Sequence, residues 1–226
     1  MTEPSPAKSP APPTAPPKPR FRGKIHQAAF LVSIPAGLVL VAVAPTTKAR
    51  VSAIIFALCL TGMYGISAAY HIVPWSPRAA QRMKRLDHSM IFLLIAGTYT
   101  PFSLLVLPSP WSVVILSLAW TGAAVGIVLK FIRIDGLHVP TGALYITLGW
   151  MAIIVLPQIF RGLSGPEITL LLFGGLLYTA GAVVLARHWP DPRPSVFGYH
   201  EIWHSMGVAA GACHYALIFL LLLKIR

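Results

Sequence analysis

Three histidines placed at the ends of apolar segments carry side chains that suit a zinc site. His200 and His204 stand four residues apart in the stretch HEIWH, and His71 ends the stretch SAAYH more than a hundred residues earlier. On a helix the first two share a face about 6 Å apart along the axis, a spacing that one ion can bridge. Three imidazoles with a fourth position open to water are typical of a catalytic zinc site. The pattern predicts that His71, His200 and His204 bind Zn²⁺.

Two more polar residues accompany His71 and could act on a water molecule. Ser67 lies four residues before His71, on the same helical face, and Asp87 follows in the stretch LDHS. Zinc lowers the pKa of a bound water to about 7, so a nearby carboxylate can accept its proton. We therefore expect Asp87 and Ser67 to be catalytic, with Ser67 contacting the water or a reacting carbonyl oxygen.

Each of these signals has a simpler interpretation when it is taken alone. The pair His200 and His204 could make hydrogen bonds between membrane helices without any metal. Asp87 could be an acidic residue favoured near the N-terminus of a helix. Ser67 could be a small packing residue in a membrane bundle. The metal hypothesis depends on all of these residues lying at one depth.

The remaining polar residues of the apolar segments give weaker signals. His214 lies about 21 Å beyond His200 along a helix, too far to share its ion. We expect it to make an interior hydrogen bond, with Thr98, Tyr99 and Thr100 as candidate partners. Glu201 faces away from His200 and is expected to pair with an arginine in a loop. His26 and His88 receive no role in the site.

Composition identifies the protein class. Of 226 residues, 56% are hydrophobic and 11% are charged, whereas soluble domains carry about 25% charged residues. Apolar runs of about 20 residues span the hydrocarbon core as helices. The sequence therefore predicts an all-α bundle of seven transmembrane helices. The predicted spans cover residues 24–44, 50–72, 87–107, 111–131, 139–157, 167–187 and 200–223.

The basic residues predict the orientation of the bundle in the membrane. The formal net charge is +12, and 13 of the 18 Lys and Arg residues fall on the side that carries the N-terminus. The positive-inside rule then places the N-terminus in the cytoplasm and the C-terminus outside. Because the basic residues lie in the tail and loops, they indicate lipid headgroup contacts and not nucleic-acid binding.

The same orientation brings the candidate site to one level of the membrane. His71 ends the second span, Asp87 begins the third, and His200 begins the seventh, all on the cytoplasmic side. Residues 1–23 are rich in proline and are predicted to be a disordered cytoplasmic tail, whereas residues 24–226 form the membrane domain.

Three stretches of the sequence resemble the hemolysin III family of bacterial membrane proteins. They are SAAYH at 67–71, RLDHSMIFLLIAGTYTPF at 85–102 and YHEIWHSMGVAAGACH at 199–214, within a resemblance that covers roughly residues 24–223. That family is similar to the progestin and adiponectin receptors and, more remotely, to alkaline ceramidases. The resemblance implies seven helices with a cytoplasmic N-terminus in the bacterial inner membrane. It also implies a zinc ion held by the three histidines, with Ser67 and Asp87 beside it.

The resemblance leaves three functions open. The receptor and ceramidase relatives suggest a zinc-dependent hydrolase of a lipid amide or ester, with a membrane lipid as substrate. The first alternative is a non-enzymatic, receptor-like regulator of membrane state with a structural zinc ion. A haemolytic, pore-forming protein is the second, although seven apolar spans suit a secreted toxin poorly.

Overall fold

The computed structural model describes residues 18–225 and shows an all-helical protein. Seven segments of the described chain are long and apolar enough to cross a membrane, as the sequence predicts. Eight α-helices build them: α1 Lys24–Val43, α2 Thr47–Ile72, α3 Pro77–Leu105, α4 Trp111–Ile132, α5 His138–Gly149, α6 Leu156–Gly162, α7 Gly165–Arg187 and α8 Tyr199–Lys224. Helices α5 and α6 belong to the fifth span, so α7 and α8 are the sixth and seventh.

The fifth span is interrupted near its middle. Helix α5 ends at Gly149, the 3₁₀ turn Met151–Val155 follows, and α6 then begins. The Tyr99 hydroxyl donates to the Gly149 carbonyl at 3.1 Å and accepts from the Ala152 amide at 2.8 Å. Backbone groups freed by a break inside a membrane need such partners, because lipid offers none. The break is therefore stabilised by a side chain from α3.

Helix α3 begins ten residues before the predicted start of the third span. Ser76 precedes it and Pro77 occupies its first turn, where the missing amide proton of proline costs nothing. The added turns carry the basic residues that the sequence analysis assigned to a loop. Asp87 consequently lies in the third turn of the helix and not at its N-terminus, so the helix-terminus interpretation of Asp87 is wrong.

Each helix from α1 to α4 packs against the next one in the sequence, α7 packs against α8, and α1 packs against α8. Helix α3 lies innermost and also touches α5 and α8. Glycines allow close approach at two of these contacts: Gly97 of α3 rests on Cys59 of α2, and Gly126 of α4 rests on the Phe92 ring. The outward faces remain apolar, with Val32 and Leu58 about two-thirds exposed, as lipid-facing side chains are.

The chain just before α1 is attached to the loop before α8. The amides of Arg20 and Phe21 donate to the carbonyls of Ser195 and Val196 at 3.0 and 3.1 Å. The Phe21 ring also meets Phe197 edge-on at 6.2 Å. Most of the predicted disordered tail, residues 1–17, lies outside the described residues, and the boundary at residue 23 stays a prediction.

Candidate metal centre

The three predicted histidines converge at one end of the bundle. One donor atom from each of His71, His200 and His204 lies within 4.8 Å of the others. The Nε2 atoms of His200 and His71 are 3.3 Å apart. Two ligands about 2.05 Å from a tetrahedral zinc ion stand roughly 3.3 Å apart, so this pair already has the separation that zinc requires. The widest pair would have to close by at most about 1.5 Å to match it.

A hydrogen bond between His71 and His200 is the alternative to a metal, and it accounts for only part of the cluster. His204 is 3% exposed, and its Nε2 atom is buried without a hydrogen-bond partner among the described residues. Buried polar atoms of this kind normally have a partner, an ordered water or an ion. The cluster therefore fits a group that binds three nitrogens better than a pair of imidazoles alone.

Helix α8 holds two of the histidines through a fixed N-terminus. Glu201 Oε2 accepts from the Gly198 amide at 2.9 Å, in the first turn where a carboxylate also favours the helix dipole. Its other oxygen accepts from Arg22 Nε at 2.5 Å, and Glu201 is only 1% exposed. The expected arginine partner thus comes from the segment before α1. This buried pair ties that segment to the turn of α8 that carries His200 and His204.

Asp87 and Ser67 meet beside the cluster. Both are buried, at 7% and 2% exposed, and the Ser67 side chain is a hydrogen-bond partner of the Asp87 carboxylate. Asp87 lines the same cavity as His71 and His200. Ser67 does not line it and sits one helical turn behind His71. The arrangement places the carboxylate towards the cavity and the hydroxyl behind it.

The cavity has a volume of about 420 Å³ and opens at the bundle end where the cluster lies. Its floor holds Asp87, His71 and His200, and its walls combine cations with aromatic rings. The wall residues of these two kinds are Lys18, Arg22, Lys84, Tyr70, Trp75 and Trp203. Mixed basic and aromatic walls are common at the headgroup level of a membrane. A molecule anchored at that level could reach the histidines through this opening.

His26 is a fourth histidine that the sequence analysis left out. Its ring stacks on His204 with centroids 3.9 Å apart and an angle of 21°, and the residue is 4% exposed. Apart from the backbone of His204, the ring nitrogens have no partner within the described chain. The sequence could have indicated His26 through its membrane depth, because the first span begins on the same side of the membrane as the site. No spacing motif marks an isolated histidine.

His214 does not bond to the residues that the sequence analysis suggested as partners. Thr98 and Thr100 donate to carbonyls of their own helix, as hydroxyls in membrane helices commonly do, and Tyr99 supports the break in the fifth span. The His214 ring is buried and lies against the backbone of Leu171 on α7 instead.

Comparisons with known proteins identify the family to which the chain is similar. A family model described as "Haemolysin-III related" matches residues 14–215. Hemolysin-3 of Bacillus cereus is 33% identical over 83% of this chain and 84% of its own length. The Hemolysin-3 homolog of Bacillus subtilis is 30% identical over 88% and 92%. The human Monocyte to macrophage differentiation factor is similar at 25% identity over 75% and 70%.

Proposed function

The chain belongs to the haemolysin-III-related family, and we propose that it is a zinc-dependent hydrolase of a lipid amide or ester in the bacterial inner membrane. The observation that carries the proposal is the convergence of three imidazole nitrogens from α2 and α8 within 4.8 Å. These ligands come from two spans, and a cavity lined by His71 and His200 is also lined by the buried Asp87 carboxylate. A His₃ donor set leaves one position of a tetrahedral ion open.

The proposed chemistry divides between the ion and the surrounding side chains. When bound, zinc supplies Lewis-acid polarisation of a carbonyl and activation of water at neutral pH. The Asp87 carboxylate accepts a proton from the attacking water and returns it to the leaving nitrogen or oxygen. Ser67 orients that carboxylate through their hydrogen bond. In this geometry Ser67 is a positioning residue.

The proposed substrate is a membrane lipid whose scissile bond lies close to the headgroup. The cavity is walled by Tyr70, Trp75 and Trp203 together with basic side chains. Rings and cations of this kind hold a polar headgroup while the acyl chain stays in the apolar bundle or bilayer. The cytoplasmic leaflet supplies the substrate if the orientation predicted from the basic residues is correct.

A panel assay tests this function. Purified full-length protein is incubated with lipid amides and esters, and released fatty acid is measured by mass spectrometry. We expect release from at least one lipid class, its loss after chelation, its recovery with added zinc, and its absence in His204→Ala. Release that persists in His204→Ala, or no release from any lipid by zinc-loaded protein, contradicts the proposal.

One observation favours a second candidate, a receptor-like regulator with structural zinc. Helices α2 and α8 touch each other at few points apart from the histidines. An ion there would cross-link two spans that otherwise pack mainly on other helices. For this candidate, chelation lowers the melting temperature strongly while no lipid is ever cleaved. The name Hemolysin-3 describes the relatives, and nothing in residues 18–225 favours a pore.

A further inference from the structure

We propose that the interior of the bundle binds ordered water between His214 and Tyr178, near mid-membrane depth. This water site goes beyond the proposed hydrolase and does not depend on zinc. It would be continuous with the histidine cluster through a line of polar rings.

The depth of His214 follows from helix geometry. Helix α8 runs from Tyr199 to Lys224. His214 is ten residues after His204, so it lies about 15 Å further along the axis. A helix of this length is about 39 Å long, which places His214 slightly beyond its middle. An ionisable side chain at that depth is costly and usually marks a functional position.

His214 is buried without the partners that an imidazole requires. The residue is 8% exposed, and among the described residues only the backbone of Leu171 is within reach of its ring, so at least one ring nitrogen lacks a hydrogen-bond partner. The ring lies against the backbone at Gly174, where a side-chain carbon would come within 2.6 Å of it. A neutral imidazole has one donor and one acceptor, and leaving either of them buried and unmet destabilises the protein. The absence of a side chain at Gly174 makes room for the ring but satisfies neither nitrogen.

The hydroxyl of Tyr178 on α7 is a second polar group without a partner near the His214 ring. Its hydroxyl is buried and has no partner in the part of the chain described. The rings of Tyr178 and His214 have centroids 5.7 Å apart, and no hydrogen bond joins them. A water molecule typically makes two to four hydrogen bonds to buried polar groups of this kind. One or two waters between the rings would satisfy both side chains.

Further polar rings lie between the pair His214 and Tyr178 and the histidine cluster. Tyr64 packs in the same hydrophobic cluster as Tyr178, and its hydroxyl lies against the α8 backbone at Gly211. The Tyr64 ring is 5.3 Å from His26, which stacks on His204. Within the described chain, buried side-chain nitrogen or oxygen atoms that lack a full hydrogen bond occur on His26, His204, Tyr178 and His214. Their succession from the histidine cluster to mid-membrane depth is what a hydrated path requires, because buried polar groups normally have a protein or water partner.

Radiolytic footprinting tests the site, because hydroxyl radicals formed from bound water label the side chains that it touches. Full-length protein is irradiated in lipid nanodiscs, with and without chelator, and labelling of each residue is measured by mass spectrometry. We expect His214 and Tyr178 to be labelled several-fold faster than Phe56 and Phe92, aromatic side chains that are 0% exposed. The labelling should survive chelation. Labelling of His214 and Tyr178 as slow as that of the two phenylalanines overturns the proposal.

Thermal unfolding of His214→Leu and Tyr178→Phe is a second test. The change in melting temperature has opposite signs for a hydrated and a dry pocket. If the pocket is hydrated, each change removes a ligand of the water and lowers the melting temperature. The double variant should then lose less than the sum of the single losses, because both residues bind the same water. If the pocket is dry, each change removes an unmet polar group and raises the melting temperature. A rise in both single variants overturns the proposal.

Discussion

Asp87 is the residue on which the proposed proton transfer depends, and its replacement separates metal binding from turnover. Asp87→Asn keeps the shape of the side chain but removes its ability to accept a proton. Lost general-base catalysis costs about 10²–10⁴-fold in rate. We expect lipid hydrolysis to fall by that factor while zinc content stays at the wild-type level. Fatty acid release and metal analysis on the same preparation provide the measurement.

Asp135→Asn is the matched control for this change. Asp135 is a carboxylate on the same end of the bundle, 66% exposed and paired with Lys84 at 2.8 Å. Asp135 belongs to neither the histidine cluster nor the cavity lining, and only its partner Lys84 lies in the cavity wall. Its replacement should leave turnover within a factor of about two, since surface pairs contribute little. Equal losses in Asp87→Asn and Asp135→Asn would contradict a specific role for Asp87.

The sequence identified the residues of the candidate site whose positions follow a helical repeat. His200 and His204 repeat at four residues, as do Ser67 and His71, and both pairs lie near the same membrane level. His26 lies alone at the start of its helix, so no repeat marks it. Its stacking on His204 depends on how α1 packs against α8, and only the three-dimensional structure shows that. The metal role of the cluster and the catalytic roles of Asp87 and Ser67 stay predictions.

At the scale of helices, the contact of α2 with α3 sets the distance between His71 and Asp87. A side-chain carbon at Gly97 would lie 2.6 Å from Cys59 Cβ, closer than atoms can pack. We expect Gly97→Ala to force these helices apart and to destabilise the protein by about 1–3 kcal/mol. Thermal unfolding in detergent measures this loss.

Gly175→Ala serves as the control for the same chemical change. Apart from the neighbouring backbone of α7 itself, no atom of the described residues lies within 4 Å of the added carbon, so alanine should be neutral or stabilise α7 by up to about 1 kcal/mol. Equal melting temperatures for the Gly97 and Gly175 variants would show that the close approach of α2 and α3 is not rigid.

The ion pair of Arg22 with Glu201 provides a second test at this scale. Glu201→Gln leaves the arginine without its buried partner, and breaking such a pair costs roughly 2–4 kcal/mol when one partner stays partly exposed. We expect a clear drop in melting temperature, and a much smaller one in Asp135→Asn, which breaks an exposed pair. Equal drops would mean that the segment before α1 is not held by this pair.

Helix number was predictable from hydropathy, whereas two details of the helices were not. The start of α3 at Pro77 lies outside the apolar run, because its first turns are basic and face the membrane surface. The break in the fifth span depends on Tyr99, which lies 50 residues before Gly149 in the sequence. Hydropathy indicates which segments are apolar enough to lie in lipid. It carries no information on where a basic helical extension begins or on which side chain supports a break.

At the scale of the whole molecule, the account requires the histidine cluster to face the cytoplasm. We expect alkaline phosphatase fused after Arg226 to be active, because the distribution of basic residues predicts that the C-terminus lies outside. The same enzyme inserted between Arg187 and Arg193 should be inactive, and a fluorescent protein there should fold. The reverse pattern would move the site to the outer face and contradict the proposed supply of substrate from the inner leaflet.

Metal analysis of the purified protein tests the central claim most directly. Wild-type protein, His71→Ala, His200→Ala and His204→Ala are compared by inductively coupled plasma mass spectrometry. The control is His188→Asn, an exposed histidine whose backbone has a φ of 51°, a conformation that asparagine tolerates. The account predicts about one zinc ion per chain in the wild type and the control and a large loss in each of the three alanine variants. Zinc that is absent from the wild type, or that stays bound in all three variants, would contradict it.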